Sequence, residues 1–252
     1  METIILGDGP MGTAVADALA AEGHPAHVLG RPPGGHHPAP SLRGAGLIFD
    51  FSRGPAVAAN VAAGLAAGCR AFVIGTTAWD SDRDAVAAML ESAPAAAVTG
   101  ANLSLGVALF GRLVAMAASL FDGLPAYDPF IVEWHRRAKA DRPSGTAKEL
   151  ARRLDAARRP KRPPVDVVSI RAGSSPGMHL VGFDAPGETV ELRLTARDRS
   201  AYADGALAAA RWLVASRRQP GLHPFERVVD DLLVRSTLPS PTPNPPLVAA
   251  AG

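Results

Sequence analysis

Residues 3–23, "TIILGDGPMGTAVADALAAEG", constrain the fold more than any other stretch of this chain. A short β-branched and apolar run ends in Gly7-Asp8-Gly9-Pro10-Met11-Gly12, and an alanine-rich helical pattern follows. Three glycines at G-x-G-x-x-G spacing serve three separate needs. The first permits a tight turn, the second lets backbone approach a pyrophosphate, and the third allows helix and strand to pack closely. The amides of the helix N-terminus then face the phosphate. A plain tight turn would tolerate the same residues, but the strand–turn–helix setting selects the dinucleotide reading.

Alternation continues down the chain. "AHVLG", "LIFDFS", "RAFVIGTT" and "AAAVTGANLS" read as strands, with helical patterns in "AVAANVAAGLAAG" and "WDSDRDAVAAMLESA" between them. Strand and helix in alternation with short connections predict a Rossmann-like, doubly wound parallel sheet of the α/β class. After Ser104 the texture changes: "LGVALFGRLVAMAASLF" is a helix, "DPFIVEWH" a strand and "SGTAKELARRLDAARR" a helix. "VDVVSIRAG", "GMHLVGFDA" and "ETVELRLTARDR" follow as strands in succession, which predicts an inserted α+β domain with a mainly antiparallel sheet. The helix "AYADGALAAARWLVAS" returns the chain to the first domain. The expected division is a dinucleotide-binding domain of residues 1–104 and 200–236, a substrate-binding and oligomerisation domain of residues 105–199, and a disordered tail, 237–252, with five prolines.

Composition excludes several classes. Of 252 residues, 47% are hydrophobic and 20% charged, as in an ordinary globular protein. The net charge of +2 and the lack of a basic run give no footprint for nucleic acid. No stretch supplies the roughly twenty apolar residues of a membrane span, and "METIILGDGP" lacks the basic start of a signal peptide. A cytoplasmic location is expected. Cys69 is the sole cysteine, so disulfides and cysteine metal clusters are excluded, and a buried structural thiol is expected. His36 and His37 in the Pro/Gly loop read as solvated rather than as metal ligands, and no metal is expected.

The coenzyme's 2′ position should meet the end of the second strand, where an acidic residue would favour NAD. Gly30-Arg31 stands there, and no Asp or Glu occurs from Gly23 through Phe49. An arginine pairs with a 2′-phosphate, so NADPH is expected over NADH. Asp50-Phe51-Ser52 and Gly75-Thr76-Thr77 lie at later strand ends, where ligands gather in open α/β sheets, and should add coenzyme contacts.

A second constellation lies in "EWHRRAKADRPSGTAKEL", residues 133–150. His135 ends a strand, Lys139 lies four residues on, and Ser144-Gly145-Thr146 opens a helix with Ser144 as N-cap. The helix N-terminus with Thr146 suits a carboxylate, Lys139 adds a point charge, and His135 is placed to deliver a proton near neutral pH. The alternative is a capped helix with a solvated basic face.

These motifs carry a resemblance. "GDGPMG", "DFS", "GTT", "ANLSLGV", "EWHRRAKADRPSGTA", "RAGSSPGMHLVGF" and "GETVELRLTARDRSAYADGA" occur in the order seen in the 4-hydroxy-tetrahydrodipicolinate (dihydrodipicolinate) reductase family, as far as about Leu213. The resemblance implies a two-domain, usually tetrameric enzyme of lysine and diaminopimelate synthesis that passes hydride from NADPH or NADH to a cyclic dicarboxylic imine. It implies that His135 is the acid–base group and Lys139 a catalytic, substrate-binding lysine, with Gly145 and Thr146 cradling a carboxylate. Ala101, Asn102 and Leu103 of the "ANLS" hinge would lie beside the nicotinamide, and Arg199 near coenzyme and substrate. Four positions depart from the family: Arg136 replaces a second histidine, Leu194 another histidine, Ala78 a glycine and Leu103 a phenylalanine. Arg136 keeps the means to hold a carboxylate by its fork of donors. The other readings are a divergent relative reducing another imine or keto acid, and a dinucleotide sensor without chemistry.

Overall fold

The computed structural model describes residues 2–159, 162–215 and 218–237. The proline-rich tail lies outside them from residue 238 onward. The described residues divide into two compact units, one of those within 2–105 and 200–237 and one of those within 106–199.

In the first unit the apolar runs become parallel strands β1 (Glu2–Leu6), β2 (His27–Leu29), β3 (Ala45–Asp50), β4 (Ala71–Ile74), β5 (Ala96–Thr99) and β10 (Gly221–Pro224). Their order is β10-β5-β4-β3-β1-β2, so the chain reverses direction across the sheet at β1. Helices α2 (Val57–Ala66) and α3 (Arg83–Ser92) cover one face, where Val57, Val61, Val86 and Leu90 pack on Ile4, Leu6, Ile48, Phe72 and Ile74. By strand alternation Ile5, Phe49, Val73 and Val98 point to the other face and are fully buried. Helix α6 (Ser200–Val214) packs on β4, β5 and α1 (Pro10–Ala21). Burial on both faces explains why these strands read as unbroken apolar runs. Cys69 is buried, and that burial pushes its thiol up to about 11, so it is a packing group at neutral pH.

The apolar pattern does not predict β10 or α7 (Phe225–Thr237). The four residues of β10 include His223 and end in Pro224, which cannot donate to a ladder. Such a strand is tolerated because it lies at the sheet edge, paired only with β5.

The second unit is a four-stranded sheet, β7-β6-β8-β9, formed by β6 (Asp128–His135), β7 (Asp166–Arg171), β8 (Gly177–Ala185) and β9 (Glu188–Ala196). β8 is antiparallel to β6 and β9, as the succession of strands predicts. β7 differs and runs parallel to β6. Helix α5 (Gly145–Ala156) intervenes between the two, and a crossover helix returns the chain to the end where β6 began. Helix α4 (Leu105–Phe121) and α5 cover one face, with Phe110, Val114, Leu150 and Leu154 packed on Ile131, Val181 and Phe183.

Ala78, in the loop after β4, has φ +59°, the left-handed region in which an L side chain is strained. This accounts physically for the glycine usual at that position. Ala78→Gly relieves that strain against the extra freedom glycine has when unfolded, and should raise stability by about 1 kcal/mol in urea unfolding followed by circular dichroism.

Candidate functional site

The glycine turn of the first unit is built to be approached. Gly7 has φ +108°, and a Cβ there would meet Phe51 O at 2.5 Å. A Cβ on Gly12 would strike Gly7 O at 1.9 Å, whereas one on Gly9 would meet nothing within 4 Å. Gly7 and Gly12 therefore shape the turn and Gly9 opens it. Gly9 is the N-cap of α1 and no side chain caps the helix; Pro10 has no amide hydrogen, and Thr13 N–H is the first to reach Gly9 O, at 3.0 Å. The amides of Met11 and Gly12 stay outside the helical ladder, as a pyrophosphate needs. These residues fit a dinucleotide.

Beside them, Asp50 at the end of β3 is only 1% exposed and serves as a hub. Its Oδ1 accepts from Ser52 N at 2.9 Å, Ser52 Oγ at 2.6 Å and Thr76 Oγ1 at 2.9 Å, and its Oδ2 accepts from Asn60 Nδ2 at 3.0 Å. The Ser52 and Thr76 hydroxyl hydrogens are thus committed within the protein, and both residues hold the strand ends in place. The Phe51 ring lies over Gly75, where a Cβ would come within 2.3 Å of it. Thr77 and Ala101 are exposed, and Leu103 is buried with its carbonyl against Gly205. Asn102 Oδ1 accepts from Ser104 N at 2.9 Å. Arg31 is exposed directly after Gly30.

One expectation is corrected here. His36 is exposed, but His37 is buried rather than solvated, and its backbone N–H donates to Asn60 Oδ1 at 2.9 Å. The loop after β2 is thereby pinned to the Asp50 hub, and a Pro/Gly composition carries no sign of such a tie.

The second unit gathers a different cluster on the inner face of its sheet. Alternation puts Ile131, Glu133 and His135 of β6 on one side, and β7 adds Ser169 and Arg171 while β8 adds His179, the register partner of Glu133. Glu133 is fully buried. Its Oε1 accepts from Ser144 N at 2.9 Å, Ser169 Oγ at 2.5 Å and Arg171 Nη2 at 2.8 Å. Its Oε2 lies 3.2 Å from His135 Nδ1, off the line of a hydrogen bond, and 3.8 Å from His179 Nε2. Burial pushes the carboxyl up, yet the bonds from Ser144, Ser169 and Arg171 outweigh it and hold Glu133 down at about 2. The ligand-type atoms of Glu133, His135 and His179 lie within 4.8 Å of one another. The Arg171 guanidinium already meets the Glu133 carboxylate of this trio, at 2.8 Å from Oε1.

Ser144 caps α5, accepting from Ala147 N at 3.1 Å, and its Oγ lies 3.3 Å from His179 Nε2. Burial lowers the His135 pKa; the Glu133 carboxylate opposes this and the Lys139 charge adds to it. His179 is lowered to about 4, chiefly by burial and then by His135. Both rings are neutral at pH 7. A Cβ at Gly177 would lie 3.1 Å from His135 Nε2, so the missing side chain leaves that nitrogen room. Lys139 Nζ pairs with Asp141 Oδ1 at 2.7 Å, and Arg171 ties down the same loop by donating to Lys139 O at 3.3 Å and Asp141 O at 2.5 Å.

The structure therefore brings together His135, Ser144 and, through its loop, Lys139. Gly145 and Arg136 are exposed and Thr146 half-buried beside them; Arg199 is exposed. Glu133, Arg171 and His179 are members of this cluster that sequence reasoning did not select. Alternation signals Glu133, two residues before His135, but the pairing that brings up His179 is not readable along the chain. Leu194, one of the departures, is the register partner of His179 on β9.

Because the Glu133 pKa lies below its ordinary value, its contribution to stability is complete above about 4.5 and is lost as pH falls toward about 2. Acid unfolding followed from pH 6 to pH 2 should show a steeper loss in the native protein than in Glu133→Gln, whose residue 133 does not titrate.

The family model described as "Dihydrodipicolinate reductase, C-terminus" matches residues 106–229. The chain is 35% identical over 195 residues to a 4-hydroxy-tetrahydrodipicolinate reductase of Methanoregula boonei, covering 73% of this chain and 74% of the relative. It is 34% identical over 200 residues to the enzyme of that name from Wolinella succinogenes, covering 72% and 75%. In fold it is similar to a dipicolinate-bound dihydrodipicolinate reductase of Paenisporosarcina sp. TG-14, with TM-score 0.72 at 18% identity over 90% of this chain and 99% of that one. Identity of this level, sustained over three quarters of the relatives' length, shows that the chain belongs to the 4-hydroxy-tetrahydrodipicolinate reductase family.

Proposed function

We propose that the chain reduces 4-hydroxy-tetrahydrodipicolinate to tetrahydrodipicolinate for lysine and diaminopimelate synthesis, drawing on NADPH in preference to NADH. The observation that carries the substrate side is the buried Glu133–His135–Ser144 cluster beside Lys139. A doubly negative ring needs compensation before an electron-rich donor approaches it. Lys139 and the N-terminus of α5 at Gly145 and Thr146 supply it, with Arg136 at the mouth, and fixed dipoles need no reorganisation during the reaction. Asp141 holds the Lys139 ammonium in place until a substrate carboxylate exchanges for it. Loss of the 4-hydroxyl as water gives the conjugated imine, to which the coenzyme, when bound, would supply a hydride. His135 returns a proton to the resulting enamine.

Glu133 sets up that proton. Its Oε2 faces His135 Nδ1, which directs Nε2 toward the space above Gly177. His135 is neutral in the free protein, and an arriving dianion both screens Lys139 and favours the imidazolium, so the acid is loaded as substrate binds. On the coenzyme side, Arg31 after β2 is the partner for a 2′-phosphate. A different imine or keto acid is the second reading, favoured by the apolar Leu194 opposite His179; near-zero activity on the lysine-pathway substrate with coenzyme still bound would select it.

His135→Gln should lower kcat by about 10²–10⁴-fold while coenzyme affinity stays unchanged. Lys139→Ala should act mainly on substrate binding. Steady-state assays with enzymatically generated substrate, beside coenzyme titrations, check both; full activity of either variant removes that residue from the chemistry.

We infer a homotetramer or dimer formed through the second unit's sheet. Its outer face presents Trp134, Val168 and Ile170 at 37%, 50% and 42% exposure, and no described helix of that unit covers it. Uncovered apolar sheet of this kind marks an interface. Val168→Glu should yield monomer in analytical ultracentrifugation. No described helix is long and apolar enough to cross a membrane, and a cytoplasmic setting suits an enzyme fed by reduced coenzyme.

A further inference from the structure

At the end of β2, where an acidic side chain ordinarily accepts from the adenosine ribose, this chain has Gly30-Arg31 and no carboxylate between Gly23 and Phe49. A carboxylate reaches that place from elsewhere. Asp8, the second residue of the glycine turn, is exposed and lies across Gly30: a Cβ built on Gly30 would meet Asp8 Oδ2 at 2.8 Å and Asp8 Cγ at 3.2 Å. The Gly7 N–H donates to Leu29 O at 2.8 Å, which holds the turn against the end of β2. The bare Gly30 is thus the seat of the Asp8 carboxylate.

We propose that Asp8 reads the ribose in place of the missing strand-end carboxylate and so sets the ratio of NADH to NADPH affinity; this rests on the dinucleotide reading of the same turn. A carboxylate accepts from a 2′-hydroxyl and repels a 2′-phosphate. Arg31, the residue after Gly30, has the opposite preference. Two exposed charges of opposite sign beside one glycine therefore pull the choice in opposite directions. Asp8 also lies in the turn next to the pyrophosphate position, where like charge acts on phosphate groups of both coenzymes, so its signature is the ratio of affinities rather than either affinity alone.

Titration of the full-length protein with NADH and with NADPH, followed by nicotinamide fluorescence, reads that ratio without turnover. Asp8→Asn keeps the side-chain shape and removes the charge. It should raise the Kd for NADH relative to that for NADPH by at least about tenfold. An unchanged ratio, or an equal change for both coenzymes, overturns the assignment of Asp8. Native protein that binds neither coenzyme overturns the dinucleotide reading beneath it.

Discussion

A single buried carboxylate organises the second unit. Glu133 on β6 takes a backbone hydrogen from Ser144, the cap of α5, and a hydroxyl and a guanidinium from β7. That guanidinium reaches on to the carbonyls of Lys139 and Asp141, so the loop carrying the lysine is fixed by the same charge. Burying a carboxylate is costly unless it is paired and its lone pairs are filled. Here three donors meet one oxygen, which leaves the second oxygen facing a histidine. The arrangement ties two strands, one helix and one loop to the carboxylate whose other oxygen faces His135.

The first unit uses a carboxylate differently. Asp50 is equally hidden, but its described donors are hydroxyls, an amide and a backbone N–H. No arginine approaches it in these bonds. It joins the ends of β3 and β4 to α2, and through Asn60 it reaches the loop after β2. The loop bearing Arg31 is therefore anchored at His37, while the arginine itself is left in solvent.

Much of this was legible along the chain. β6, β8 and α4 match their apolar runs closely, because each run is bounded by a turn residue and keeps one period throughout. Ser144 was legible as a cap because it stands just before a clean amphipathic run. The parallel placing of β7 was hidden, since strands on either side of a helix look alike in sequence whichever way they run. β10 was hidden by its proline and its four-residue length. His179 and Arg171 were hidden for another reason: cross-strand register decides which side chains meet, and only folding sets it. The positive φ of Ala78 was signalled only by the glycine usual at that position in the family, since alanine itself gives no hint of a left-handed turn.

One property of the inner sheet face has an evolutionary consequence. Ile131 belongs to the apolar core, and Glu133 and His135 follow it at two-residue steps on the same strand. Core and polar cluster therefore share one reading frame. Inserting or deleting a single residue in β6 would turn the whole series over, sending carboxylate and imidazole outward and Trp134 inward. Lineages that alter this face are therefore confined to substitutions, because the segment between the strand and α5 is itself tied to Glu133 and Arg171 at Lys139, Asp141 and Ser144.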